Sequence, residues 1–346
     1  MLLREFKTPQ GVLCASATQI SRVVEPEVAA AFTRGAEESV VDRTSEWLQG
    51  ADRHLIALGD VQYPPQLLEL EGPPTVFYAV GNPEWLRRPA IGVVGSRNAT
   101  SQGIADAESF SRALSAAGLT IVSGLAHGID AAAHRGGLHE AGSTVAVMGT
   151  GPDRVYPRAN EALAREIVAH GCLVSEFPLG TRPAAGNFPR RNRLISGLAR
   201  AVLVVQAAEE SGSLITARFA VEQGRDVFAM PGSIHSPLAK GCHKLIKEGA
   251  KLVDDVDDIL AELGFAPGAA TLNRATAPSH PLLAAMGHDP LTVDEILART
   301  GTTFASIAAE LSSLEIEGRV EALAGGRFQQ VAARVDRGSS PGRVIE

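Results

Sequence analysis

Apolar residues follow three different rhythms along this chain. From about residue 16 to 48, apolar and polar positions mix at helical spacing. YPP at 63–65 and GPP at 72–74 then break the chain into short pieces, because proline fixes its own torsion and donates no N–H. VFYAVG (76–81) predicts a short strand. From residue 90 apolar runs of strand length appear: AIGVVG (90–95), LTIVSG (119–124), STVAVMG (143–149), CLVSEF (172–177), AVLVVQA (201–207), DVFAMPG (226–232) and AKLVDD (250–255). Helix-length stretches such as IADAESFSRALSAAG and SLITARFAVEQG lie between them. Strands buried on both faces read as unbroken apolar runs. Strand–helix alternation at this spacing predicts an α/β fold, a Rossmann-like doubly wound and mainly parallel sheet with right-handed crossovers.

The third rhythm begins near residue 282. Thr292 and Glu295 form a capping box that starts a helix, residues 300–302 make a turn, and a second apolar-periodic helix covers 304–315. A hairpin turned at Gly325 and Gly326 follows. Helix, turn, helix and hairpin in this order predict a winged helix. The expected organisation is a small helical N-terminal domain (1–85), a Rossmann-like domain (86–263), a Pro/Ala/Gly/Thr linker (264–281), a winged-helix domain (282–334) and a disordered tail (335–346).

Bulk composition narrows this picture. The chain has 346 residues, 45% of them apolar, enough for more than one core. Its formal net charge of −7 argues against nucleic-acid binding through the whole surface, so any such site is a local basic patch in an acidic shell. Cys14, Cys172 and Cys242 are far apart and form no CxxC pair. That argues against a zinc ribbon or disulfide framework and fits a reducing compartment. No leader-like segment and no bilayer-length apolar run is present, and the expectation is a soluble, cytoplasmic protein with no membrane partner.

Ligands of open α/β sheets bind beyond the carboxyl ends of the strands. Here those turns carry Gly95, Ser96 and Arg97 after the first strand, then Gly124, His127 and Gly128 after the second. Gly149 and Gly151 follow the third, and Ser211, Gly212, Ser213 and Thr216 follow the fifth. Glycine lets backbone approach an anion, hydroxyls donate, and helix N-termini present free N–H groups. A single turn of this kind is equally well explained by steric demand. Five on one edge, counting residues 231–233 after the sixth strand, predict a phosphate-binding edge. There is no GxGxxG fingerprint and no Walker lysine, so no nucleotide cofactor is expected.

The sharper signal is an arginine cluster. Residues 178–208 contain no acidic residue but hold Arg182, Arg190, Arg191, Arg193 and Arg200. Phe188 lies among them in GNFPRRNR (186–193), which reads as an accessible loop. Arginine supplies bidentate phosphate contacts and an exposed Phe offers a stacking face for a base. The bland alternatives are that Phe188 staples the following helix and that some arginines pair with carboxylates elsewhere. Arg200, next to a buried strand, fits the bland reading better. His127, His134 and His139 do not have zinc spacing and read as structural, with His127 a phosphate neighbour.

These motifs together resemble the DprA/Smf family of DNA-processing proteins. The matching stretches are GVVGSRNATSQG, IVSGLAHGIDAAAHRGGL, VAVMGTGPDRVYPRAN, LVSEFPLG, NFPRRNRLISGLA, ESGSLITARFAVEQGRDVFAMPG and GCHKLIKEGA, in order over about residues 90–260. The resemblance implies a non-enzymatic protein that binds single-stranded DNA in a basic pocket and forms a homodimer through its Rossmann-like domain. It also implies a protein that helps load RecA recombinase during natural transformation. Arg97, Phe188, Arg190, Arg191 and Arg193 match the family's DNA pocket, with Ser96 and Asn192 beside them. Two departures stand out. The family's SAM-like N-terminal domain opens with a helical GxGP-type hairpin before a segment like LLREFKTPQGVL, so this domain is expected to be incomplete or shortened. The second winged-helix helix carries Glu310, Glu315 and Glu317 and no Lys or Arg, which suits a protein contact or spacer rather than duplex reading.

The alternative is a nucleotide-processing enzyme, since the domain also resembles LOG-type phosphoribohydrolases. Their PGGxGTxxE loop is not matched by residues 211–216, which lack the paired glycines and the Glu.

Overall fold

The computed structural model describes residues 2–35, 37–265, 280–323 and 325–331. The chain divides at Arg53 into two compact units. The first holds five short helices, α1 (Leu2–Phe6), α2 (Pro9–Cys14), α3 (Ala17–Ile20), α4 (Pro26–Thr33) and α5 (Glu38–Trp47). Their starts obey local chemistry. Ser16 and Gln19 close a capping box on α3, and α2 and α4 each begin with a proline, whose missing N–H is harmless there.

Residues 54–85 belong to the larger unit, not to the helical domain expected over 1–85. Strands β1 (Arg53–Ala57) and β2 (Val76–Gly81) are part of the main sheet, and Tyr63, Leu67 and Leu70 pack into its core. No unbroken apolar run marks the first strand, because only Ile56 of its five residues is buried.

The sheet is built from β3 (Ala90–Val94), β4 (Thr120–Ser123), β5 (Thr144–Val147), β6 (Cys172–Ser175), β7 (Ala201–Val204), β8 (Asp226–Ala229) and β9 (Lys251–Leu252). Between them run α6 (Ser101–Ala116), α7 (Ile129–Leu138), α8 (Glu161–His170), α9 (Asn187–Leu198), α10 (Ser213–Glu222) and α11 (Lys240–Lys247), and α12 (Val256–Glu262) follows β9. The strand order is β1-β2-β6-β5-β4-β3-β7-β8-β9. Every pairing from β6 through β9 is parallel, and β2 pairs antiparallel with β6. This is the doubly wound, mainly parallel sheet that the apolar runs predict.

Alternation along each strand divides the core into two layers. Ala90, Val94, Val202 and Val204 join one cluster with Leu194 and Ile195 of α9, while Ile91, Val93, Ala201 and Leu203 join another with Phe110 and Leu114 of α6. Successive strand side chains point to opposite faces, so the unbroken run is needed to fill both.

The winged-helix part contains α13 (Pro281–Met286), α14 (Val293–Thr300), α15 (Phe304–Ile316) and a sheet in the order β10 (Leu291–Thr292), β12 (Arg327–Gln330), β11 (Val320–Leu323). The Thr292–Glu295 capping box and the hairpin about Gly325 and Gly326 form as expected. The linker expected over 264–281 lies largely, and the tail expected over 335–346 wholly, outside the described residues. Among the described residues no helix is long and apolar enough to cross a membrane.

Candidate nucleic-acid interface

The strand order creates the site. From β3 the chain winds outward through β4, β5 and β6. It then returns to place β7 on the other side of β3. Helices leaving β3 and β7 therefore diverge, and a crevice opens beyond the strand ends at this switch point. It measures about 740 Å³. Ser96, Arg97 and Asn98 line it from the β3 turn, Ser211, Gly212, Ser213 and Thr216 from the β7 turn, and Phe188, Arg191 and Asn192 from α9.

GNFPRRNR is the cap and first two turns of a helix rather than a loop. α9 begins at Asn187, which places Phe188 and Pro189 in its first turn, where a missing N–H breaks no intrahelical bond. Helical geometry then sends the four following residues in different directions. Arg191 and Asn192 point to the crevice and are buried, whereas Arg190 is exposed with its guanidinium 5.5 Å from the Phe177 ring. Arg193 donates to Gly72 O at 2.8 Å and pairs with Glu176 at 2.5 Å. Arg190 and Arg193 thus lie apart from the crevice wall that holds the other predicted contacts.

Phe188 is half-buried. Its ring lies 5.6 Å from that of Tyr156 at a 37° tilt, and the Arg97 guanidinium sits 5.3 Å from its centroid. Gly149 forms the floor, since a Cβ there would stand 2.8 Å from the ring. Exposed Arg97 over an aromatic face next to a second aromatic offers one cation and two π-surfaces in one place.

Arg191 is only 4% exposed. Its guanidinium donates to Gly124 O at 2.5 Å, to Val147 O, and to Asn192 Oδ1 at 3.1 Å. Those carbonyls end β4 and β5, so Arg191 ties the two strand ends together. Burial lowers its pKa to about 10, against the opposing pull of the Asp130 carboxylate. Asp130, itself buried, accepts from Gly124 N at 3.1 Å and Ala126 N at 3.4 Å. Burial raises its pKa, and Arg191 and these N–H groups hold it down in part.

Most turn glycines serve packing. At Gly124 a Cβ would meet the Arg191 guanidinium at 2.3 Å, and at Gly95, Gly128 and Gly151 it would meet backbone oxygen within 2.8 Å. Gly212 alone of the predicted set faces open space. The two helix starts beside the crevice also differ. At α6, Thr100 Oγ1 accepts from Gly103 N at 3.1 Å and the Glu321 carboxylate accepts from Ser101 N at 2.9 Å. At α10, Gly212 supplies no side-chain cap.

Residues 54–264 match the family model of DNA recombination-mediator protein A, and residues 266–326 match that of the DprA winged helix domain. The chain belongs to the DprA/Smf family. Protein Smf of Escherichia coli (strain K12) is 41% identical over 292 residues, covering 81% of this chain and 78% of that protein. DNA processing protein DprA of Streptococcus pneumoniae (strain ATCC BAA-255 / R6) is 48% identical over 203 residues, 59% of this chain and 72% of that one. Its X-ray structure superposes with a TM-score of 0.64 at 41% identity, covering 72% of this chain and 85% of that chain. A DNA processing protein A from Helicobacter pylori, described for its single-stranded DNA binding mode, superposes with a TM-score of 0.56 at 27% identity, covering 62% and 98%.

The crevice also holds Tyr156, Asp130 and Glu210, which the sequence did not single out as contacts. Tyr156 had a readable signal, an aromatic beside proline in a turn on the binding edge. Of the three histidines, His127 is exposed and His134 is fully buried. His134 Nε2 accepts from Leu125 N at 3.2 Å, so Nδ1 carries the proton and donates to Thr144 Oγ1 at 2.7 Å. Burial first, then Arg191 and Arg135, push its pKa down to about 3. An unfolded His titrates near 6.5, so between these values the unfolded chain binds more protons. Stability is therefore expected to fall as pH drops below about 6.5, at up to about 1.4 kcal/mol per pH unit. The raised Asp130 acts with opposite sign at the acid end. Denaturant unfolding of wild type and His134→Gln at pH 7, 6 and 5 checks this. The variant should show the flatter slope, and equal slopes would remove His134 as the cause.

Proposed function

We propose that this protein binds single-stranded DNA along the crevice between the β3 and β7 turns. Bases stack on Phe188 and Tyr156, and phosphates lie toward Arg97 and the turns that carry Ser96 and Ser211. Asn192 orients the crevice wall, and Arg191 acts behind the surface by holding the strand ends. The observation that carries the reading is the Arg97–Phe188–Tyr156 group, placed at the switch point of a family sheet. The reading includes no catalytic step.

Arg97 on the crevice wall and Arg182 and Arg190 outside it are exposed, and a strand that continues past the crevice can meet all three. At roughly 0.7 counterions per phosphate contact on a single strand, three such contacts give a log–log salt slope of about −2. Anisotropy titrations of labelled oligothymidine from low to physiological salt measure it. A slope near zero, or equal affinity for duplex of the same length, overturns the proposal. The duplex arm also addresses the winged-helix part. Its α15 would bring Glu310 and Glu315, with Glu317 at its end, against duplex phosphates, which favours a protein-contact role.

As part of the same proposal, the protein protects incoming strands and hands them to RecA during natural transformation, as a homodimer formed through the Rossmann-like domain. Val221, Ile234 and Leu252 are exposed apolar residues on elements flanking the β8–β9 edge, which suits such a contact. Sedimentation at micromolar concentration and a RecA-loading assay on protein-coated strands test these two parts. A monomer, or no gain in loading, removes the corresponding part.

A further inference from the structure

We propose that the crevice also takes a free nucleoside 5′-monophosphate, with its phosphate at the start of α10 and its base against Phe188 and Tyr156. The inference rests on the crevice being a nucleic-acid site. It adds that one detached nucleotide is a sufficient ligand and competes with the strand.

Hydrogen-bond accounting locates the phosphate. The ten-residue α10 opens on Gly212 with no side-chain cap, so the positive end of its dipole is uncovered. The N–H groups of the first three helical residues are already used. Ser213 N reaches Ser211 Oγ at 3.4 Å, and Leu214 N and Ile215 N turn back to Ser211 O and Gly212 O at 3.0 and 3.2 Å. Three donors remain. The Gly212 N–H has no partner among the described residues. The Ser211 and Ser213 hydroxyls lie 2.8 Å apart, so one donates to the other and a single proton is left over. Thr216 lines the crevice, is 1% exposed, and its hydroxyl has no partner among the described residues. The Thr216 hydroxyl is therefore open to the crevice and can donate to an anion seated here. The α6 start lacks this capacity, because Thr100 and Glu321 fill it.

Size and charge favour a single nucleotide. A volume of about 740 Å³ falls within the range of small-ligand pockets, roughly 300–1,000 Å³. A terminal phosphate carries close to two charges at neutral pH, with a second pKa of about 6, and a diester carries one. The helix start therefore attracts the free monophosphate more strongly. Glu210 lines the same crevice without a partner among the described residues. Its carboxylate can accept from the free 3′-hydroxyl of a single nucleotide, a donor that a continuous strand has replaced by a phosphodiester.

Competition measurements with the full chain test the proposal. Labelled oligothymidine is bound, then titrated with dTMP, thymidine or inorganic phosphate, and dTMP binding is also measured directly by calorimetry. dTMP should displace the strand at least tenfold more effectively than thymidine or phosphate alone. Thr216→Val, which keeps shape and loses one donor, should weaken dTMP binding about three- to tenfold, in line with about 0.5–1.5 kcal/mol for one hydrogen bond. Ser213→Ala provides a second variant if Thr216→Val does not fold. Equal displacement by thymidine or by inorganic phosphate overturns the proposal, as does unchanged dTMP affinity in a folded variant. If oligothymidine binds and dTMP does not displace it, this inference falls and the strand-binding reading stands. If neither binds, both fall.

Discussion

Arg191→Ala is expected to lower stability by about 3–5 kcal/mol, the usual cost of removing one partner from a buried, hydrogen-bonded charge network. The side chain leaves Gly124 O and Val147 O without their donor and Asp130 without its nearest compensating cation. Alanine also opens a cavity beside the crevice. Arg191→Lys should recover only part of the loss, because an ammonium cannot reproduce a planar fork that reaches both carbonyls and Asn192 at once. Urea unfolding of the three proteins measures the effect. A loss below about 1 kcal/mol would show that water replaces the guanidinium, and Arg191 would then return to the set of direct DNA contacts. A fall in DNA binding in this variant, taken alone, reports a collapsed crevice and not a lost phosphate contact.

Phe188→Ala is expected to reduce oligothymidine affinity by about 1–3 kcal/mol, roughly five- to 150-fold, while changing stability far less than Arg191→Ala. The ring is half-buried, so its truncation removes a stacking face and the partner of both Arg97 and Tyr156. Phe188→Leu separates stacking from bulk, because leucine fills the space above Gly149 but offers no π-face. If the leucine protein binds DNA like the wild type, stacking on Phe188 is not the source of affinity, whatever the alanine protein does. Tyr156→Leu should show a smaller loss in the same direction, since Tyr156 is the outer ring of the pair.

Much of the architecture was legible because it depends on local periodicity. Runs such as AVLVVQA fit a strand covered on both faces, as inside a parallel sheet, and the Thr292–Glu295 box can start a helix with no outside help. The first strand was not legible, because Arg53–Ala57 buries only Ile56 and so carries no apolar run. Its strand-like character is supplied by the sheet, not by the segment itself.

The candidate site divides along the same line. Sequence by itself determined that glycines, hydroxyls and arginines gather at the carboxyl ends of the strands, and that one Phe lies among the arginines. It could not rank the arginines, because Arg190, Arg191 and Arg193 occupy adjacent positions with similar surroundings in sequence. Successive residues of a helix project about 100° apart, so only the docking of α9 against β3, β4 and β5 decides which face meets the crevice. That docking buries Arg191 as a clamp on two strand ends, turns Arg193 to Glu176 and leaves Arg190 in solvent. The same tertiary step brought Tyr156 to Phe188 and left the Thr216 hydroxyl open to the crevice, without a partner among the described residues. Periodicity and composition are properties of a segment, whereas exposure and hydrogen-bond satisfaction belong to the packed molecule, and it is these that separate a residue that holds the site from one that meets the ligand.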